Sequence, residues 1–199
     1  ATIFRGNTTG DQKGPCVSQF LLKDIPYGTL TISQRQKTVI PGVNYMTNPA
    51  SWLSIQNGLD PLVTDVFDGT QRYIRNGRDL ATYVHYDALY EAYLNACLIL
   101  LGMGAPLDTG NPYISLTKTD AFVTFGGPHI LSLVTEVATR ALKAVWFQKW
   151  YVHRRQRPEE FGGRVHYHYH LNVDATYPID SEILNSQAVQ QTFRQYGTY

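Results

Sequence analysis

Between Val134 and Trp146 the residues Val134, Val137, Ala138, Ala141, Leu142, Val145 and Trp146 recur at steps of three and four, the stripe of a helix that faces a core. Continuing that stripe places Lys149 on the same side, four residues after Val145 and three after Trp146. An ammonium on the buried side of a helix is costly unless it meets an anion or loses its proton. The pattern therefore predicts a long helix from about His129 to Arg154, with Lys149 aimed inward at something negative.

Two anions satisfy that demand: a carboxylate of the core, or a bound oxyanion. Arg157 favours the second. Proline disfavours helical dihedrals in the residue before it, so Pro158 is expected to turn Arg157 out of the helix and let its guanidinium fork reach back. Each cation about 4 Å from a unit charge contributes roughly 4 kcal/mol before desolvation, at an effective dielectric near 20. A multiply charged tetrahedral anion could hold both. From Lys149 to Arg164 there are five Lys or Arg against Glu159 and Glu160, whereas the whole chain carries only +1. Positive charge is concentrated in this stretch.

A chain of 199 residues with 43% hydrophobic and 13% aromatic content is long enough to bury one core and too apolar to be disordered. The net charge gives no reason to expect nucleic acid or a membrane surface as partner. The longest uncharged apolar stretch, 96–107, is about a dozen residues and is broken by Gly102, Gly104 and Pro106, too short to span a bilayer. Cys97 lies among apolar neighbours as a small buried hydrophobe, and with Cys16 it leaves the redox compartment open.

Along the chain, a polar opening (6–15) precedes an apolar segment at 17–22. Two short strands are expected near 29–32 and 37–40. A short helix is expected over 52–57, ended by Gly58, and another from Val66 or Thr70 to Asn76. A central helix is expected to start at Asp79, with Leu80, Val84, Ala88, Ala92, Ala96 and Leu100 as its inward row. The stretch 106–120 reads as loop, and 181–195 as a last helix capped by Ser181 with Glu182 in its first turn. His166, His168 and His170 alternate with tyrosines like one face of a strand within 164–173. Histidines two apart could bind a metal, but no suitably spaced Cys or carboxylate accompanies them, so a hydrogen-bonded strand or a subunit contact is favoured. His153, one turn after Lys149, is expected to support the site through a hydrogen bond. With no repeats and no linker, residues 1–199 read as a single, mostly α unit.

Lys149-Trp-Tyr-Val-His-Arg-Arg-Gln-Arg-Pro-Glu-Glu-Phe-Gly-Gly-Arg-Val-His166 resembles the first vanadate-binding motif of the vanadium-dependent haloperoxidases, in particular the algal and cyanobacterial bromoperoxidases. Stretches at 14–22, 43–46, 52–58 and 75–80 are similar to that family as well. The resemblance implies a helical-bundle core with a few short strands near the N-terminal part and around 164–173. Relatives with the same pocket, the vanadium chloroperoxidases and certain acid phosphatases, typically step seven residues from lysine to arginine. Here the step is eight, the bromoperoxidase-like spacing, which rotates Arg157 by about 100° if helix persists. Trp146 matches the brown-algal type, and the resemblance places it near halide and peroxide.

The Ser-Gly-His stretch and the later arginine and metal-bonding histidine of the family have no counterpart here. His129 follows Gly127-Pro128 without the serine, and before the first motif rather than after it. The chain, starting at Ala1 and ending at Tyr199, is therefore expected to be a fragment of a larger haloperoxidase domain with half of its site, and to be inactive alone. The resemblance implies vanadate as cofactor, held through its oxygens by Lys149 and Arg157, with no metal ligand from this chain. It implies hydrogen peroxide, bromide or iodide and an organic halogen acceptor as reactants, the remaining C-terminal part of the enzyme as partner, a homo-oligomer, and an extracellular, cell-wall or periplasmic setting. The alternatives are an acid phosphatase with the same anion pocket and a non-catalytic half that packs against a second polypeptide or subunit.

Overall fold

The computed structural model describes residues 18–61, 63–171 and 177–199. In chain order its elements are a 3-10 helix (Gln19–Leu22), β1 (Ile25–Tyr27), β2 (Leu30–Ile32), α1 (Pro49–Gln56), α2 (Gly77–Tyr86), α3 (Glu91–Gly102), α4 (Gly127–Trp146), a π-wound segment Phe147–Val152, α5 (Pro158–His166), a second π-wound segment Tyr167–Leu171, α6 (Ser181–Leu184) and α7 (Gln187–Tyr196). The chain divides into two compact units, Ala1–Ile40 with Val66–Phe147, and Pro41–Asp65 with Gln148–Tyr199. The mostly α expectation holds.

In the first unit, β1 and β2 form an antiparallel hairpin with Ile25 opposite Ile32. The second expected strand, near 37–40, does not pair with it; Gln36 and Val39 instead bridge to Arg72 and Phe67. Those bridges also replace the helix expected up to Asn76, because extended backbone there finds partners across the chain. α3 packs on β1 and α4. A Cβ on Gly102 would lie 2.2 Å from Cγ of Pro26, so that close approach requires glycine. Ile25, Ile74, Cys97, Ile99 and Ala138 are buried, and burial raises the Cys97 thiol pKa. Cys16 and the polar opening lie outside the described residues.

The expected continuous central helix is two helices. Asp87 is extended, Tyr90 is left-handed at φ 55°, and the Glu91 carboxylate accepts the Ala88 N–H at 2.8 Å. A local carboxylate-to-backbone bond ends one helix and starts the next, something hydrophobic spacing does not register. Asn76 caps α2 by accepting the Asp79 N–H at 2.9 Å. Asp79 itself is buried and accepts the Arg75 backbone N–H at 3.1 Å and its Nε at 2.9 Å.

In the second unit Trp52 of α1 docks on α5. Its Nε1 donates to the Glu159 carbonyl at 2.9 Å, and its ring centroid lies 5.2 Å from that of Tyr167. The α1 helix begins at Pro49 behind an Asn48 cap and closes at Asn57, before Gly58, as expected. The strand expected at 164–173 is absent from its described part: residues 164–166 close α5 and 167–171 are π-wound, while 172 and 173 lie outside the described residues. The histidines there are therefore not a strand ladder. His170 stacks 4.1 Å from Phe193 and 5.9 Å from Tyr199, with His166 5.0 Å away, so aromatic packing decides their conformation. The last expected helix is also two, and its cap is Asp180, which accepts the Glu182 N–H at 2.8 Å; Ser186 caps α7.

Candidate anion site

The helix bearing the apolar stripe forms, but only part of the stripe turns inward. Ala138 is buried and Val134 and Leu142 half-buried, whereas Val137 and Val145 are 61% and 55% exposed. The α-helix ends at Trp146, and the next turn is π-wound. A wider turn advances each residue by a smaller angle than 3.6-residue winding, so extrapolating the stripe to Lys149 carries it to the wrong azimuth. Lys149 is exposed, which corrects the expected inward placement. Among the described residues no carboxylate is ion-paired with it.

Helix does not persist to Arg157 either. The Arg155 N–H donates to the Lys149 carbonyl at 2.8 Å, the His153 N–H to Gln148 at 2.9 Å, and Arg154 is left-handed at φ 46°. His153 thus lies beyond the helical turn rather than on the helix face with Lys149, and its ring is exposed. The 100° rotation inferred from the eight-residue step has no helix to act through. The effect of Pro158 is as expected: Arg157 is extended at ψ 154° and precedes α5, with Pro158 in the first turn.

What gathers the two cations is a residue that spacing did not flag. The Lys149 Nζ stands 4.6 Å from the Trp150 ring centroid and the Arg157 Cζ 5.9 Å from it, both within cation–π range. Glu159 lies 3.9 Å from Arg157 Nη1, at the outer edge of ion pairing, with both groups exposed. Such a pair contributes little in water. Trp150 is 45% exposed. The signal available in the sequence was an aromatic residue directly beside the lysine of a basic run.

Trp146 closes α4 and is 46% exposed in this chain. His129 serves the backbone: its Nδ1 accepts the Phe125 N–H at 2.9 Å at the start of α4. Among the described residues no group of three His, Cys, Asp or Glu could hold a metal ion, and no helix is long and apolar enough to cross a membrane. A cavity of about 140 Å³ beside Trp52 is lined by Tyr45, Asn48, His166 and Tyr199 among others, and by neither Lys149 nor Arg157. Lys149 and the extended Arg157 thus lie near one uncharged ring, two cationic donors of the kind an oxyanion takes.

No family model matches the chain. It is 44% identical to a vanadium-dependent bromoperoxidase of Corallina pilulifera and 43% to that of Corallina officinalis, in each case over 82% of this chain and 32% of the relative. It is 37% identical to the vanadium-dependent bromoperoxidase of Ascophyllum nodosum, again over 82% of this chain and over 30% of the relative. The fold matches the homohexameric second vanadate-dependent bromoperoxidase of Ascophyllum nodosum with a TM-score of 0.76 and 32% identity, over 98% of this chain and 32% of that one. The chain thus spans about a third of the length of the relatives it matches.

Proposed function

The chain belongs to the vanadium-dependent haloperoxidases of the algal bromoperoxidase type, and from that premise we propose that the whole protein oxidises bromide or iodide with hydrogen peroxide to a hypohalous species that halogenates organic acceptors. Residues 1–199 are then one part of its helical domain, with vanadate as the cofactor it helps to hold. The observation carrying this reading is the pair Lys149 and Arg157 on the Trp150 ring, inside the stretch that resembles the family's first anion-binding motif.

Vanadate, when bound, supplies the activation of peroxide towards halide. The residues of this chain do the holding. The Lys149 ammonium donates to an anion oxygen and withdraws electron density from it. The Arg157 fork donates to further oxygens and fixes orientation, which a planar guanidinium does better than a point charge. Neither bonds the metal. His153, exposed beyond the π-wound turn, contributes its backbone N–H to the Gln148 carbonyl. The whole protein self-associates, as the homohexameric relative does.

The 199-residue chain is expected to bind orthovanadate weakly, with phosphate competing, and to oxidise bromide poorly or not at all. Vanadium NMR of orthovanadate titrated with the chain measures the first, and a peroxide-dependent bromide assay the second. Lys149→Gln and Arg157→Gln should each lower vanadate affinity at least about tenfold. Unaltered affinity in both variants would overturn the reading, and turnover of p-nitrophenyl phosphate would move it to the phosphatase class.

A further inference from the structure

We propose that Trp150 is the positioning residue of this anion site: its indole gathers the Lys149 ammonium and the Arg157 guanidinium without itself neutralising either charge. The inference rests on the reading that these two cations hold an oxyanion. Two like charges do not collect unaided, and something must offset their repulsion. A carboxylate between them would do so, but it would cancel the field that attracts an anion. An aromatic face attracts cations through its quadrupole and carries no net charge. Of the two cations only Arg157 has a carboxylate within ion-pair reach among the described residues, and Glu159 at 3.9 Å, exposed to water, neutralises it weakly.

The backbone is shaped to allow this arrangement. Lys149 and Trp150 are neighbours in the π-wound segment, the left-handed Arg154 reverses the chain, and the Arg155 N–H closes the reversal on the Lys149 carbonyl. Pro158 then holds Arg157 extended, so its guanidinium returns to the same ring that Lys149 occupies. Lysine and arginine side chains carry large rotamer entropy. Ordering them on Trp150 before the anion arrives removes part of that loss from the binding step.

The test uses the 199-residue chain, orthovanadate as probe followed by vanadium NMR, and phosphate as competitor. Trp150→Leu should weaken vanadate binding about tenfold, because the Lys149 and Arg157 side chains must then be ordered in the binding step itself. Trp150→Phe keeps a π face and should rescue most of that loss. In protein labelled with 5-fluorotryptophan, the resonance missing from Trp150→Phe should shift on adding vanadate, and should not shift in Lys149→Gln. A purely structural tryptophan would not show that dependence. If Trp150→Leu binds as the parent does while Lys149→Gln and Arg157→Gln lose affinity, the positioning role fails and the anion site stands. If all three bind as the parent does, the anion-site reading fails and takes the proposal with it. Should Trp150→Leu not fold, Trp150→Phe and the fluorine shift decide.

Discussion

Replacing Gly163 with alanine puts a methyl group where the indole of Trp52 now lies. A Cβ built on Gly163 falls 2.0 Å from Cε2, 2.2 Å from Nε1 and 2.5 Å from Cζ2 of that ring, far inside van der Waals contact. The ring must withdraw, because Gly163 sits inside α5 and the helix cannot yield without losing its own hydrogen bonds. Withdrawal removes the Trp52 Nε1 bond to the Glu159 carbonyl, about 1 kcal/mol. It also loosens the contact with Tyr167, a further ~1 kcal/mol for an aromatic pair. Overpacking of this kind generally costs about 1–3 kcal/mol. The gain from replacing glycine in a helix, about 1 kcal/mol, opposes it. Gly163→Ala should therefore destabilise the second unit by about 1 kcal/mol, the two lost contacts less the helix gain. Amide hydrogen exchange of peptides covering 49–56 and 158–166 reads this locally, and urea denaturation reads it globally. Gly77→Ala is the control, since nothing lies within 4 Å of the Cβ it would add. If Gly163→Ala exchanges no faster than the parent and matches Gly77→Ala in stability, the docking of Trp52 on α5 is not what holds this unit.

Two further predictions concern titratable groups. His166 is held below the usual histidine pKa first by burial and then by the neighbouring His170, so the folded state disfavours its charged form. The unfolded chain then binds the proton more readily. The stabilisation is fully present above the ordinary histidine range and is lost as pH falls through the folded pKa. Stability of the second unit should fall from pH 7.5 to pH 5, and an NMR titration placing His166 at or above a free histidine would refute the assignment. In the first unit, Asp79→Ala removes the carboxylate that accepts from the Arg75 backbone and side chain. A loss of about 1–3 kcal/mol is expected, the lower end reflecting the exposure of Arg75. An unchanged denaturation midpoint by far-ultraviolet circular dichroism would count against it.

Local chemistry decided much of this molecule, and the sequence displays local chemistry. The mostly helical class, the inertness of Cys97, the short helix ending before Gly58 and the exit of Arg157 ahead of Pro158 follow from composition, burial tendency and the fixed ring of proline. The motif from Lys149 to His166 carries the family resemblance in its residues alone. Tertiary structure decided where winding changes and which rings meet. Periodicity assumes 3.6 residues per turn, and the π-wound turn after Trp146 broke that assumption at the residue on which the inward placement of Lys149 depended. The His166–His170 alternation fitted a strand by period alone, yet packing against Phe193 and Tyr199 made it helical. Likewise the ring that gathers Lys149 and Arg157 depends on a chain reversal at Arg154, a left-handed residue with no glycine to announce it. The sequence determines which groups are available for an oxyanion. Only the fold, by bending the chain back on itself, determines that two of them share one indole.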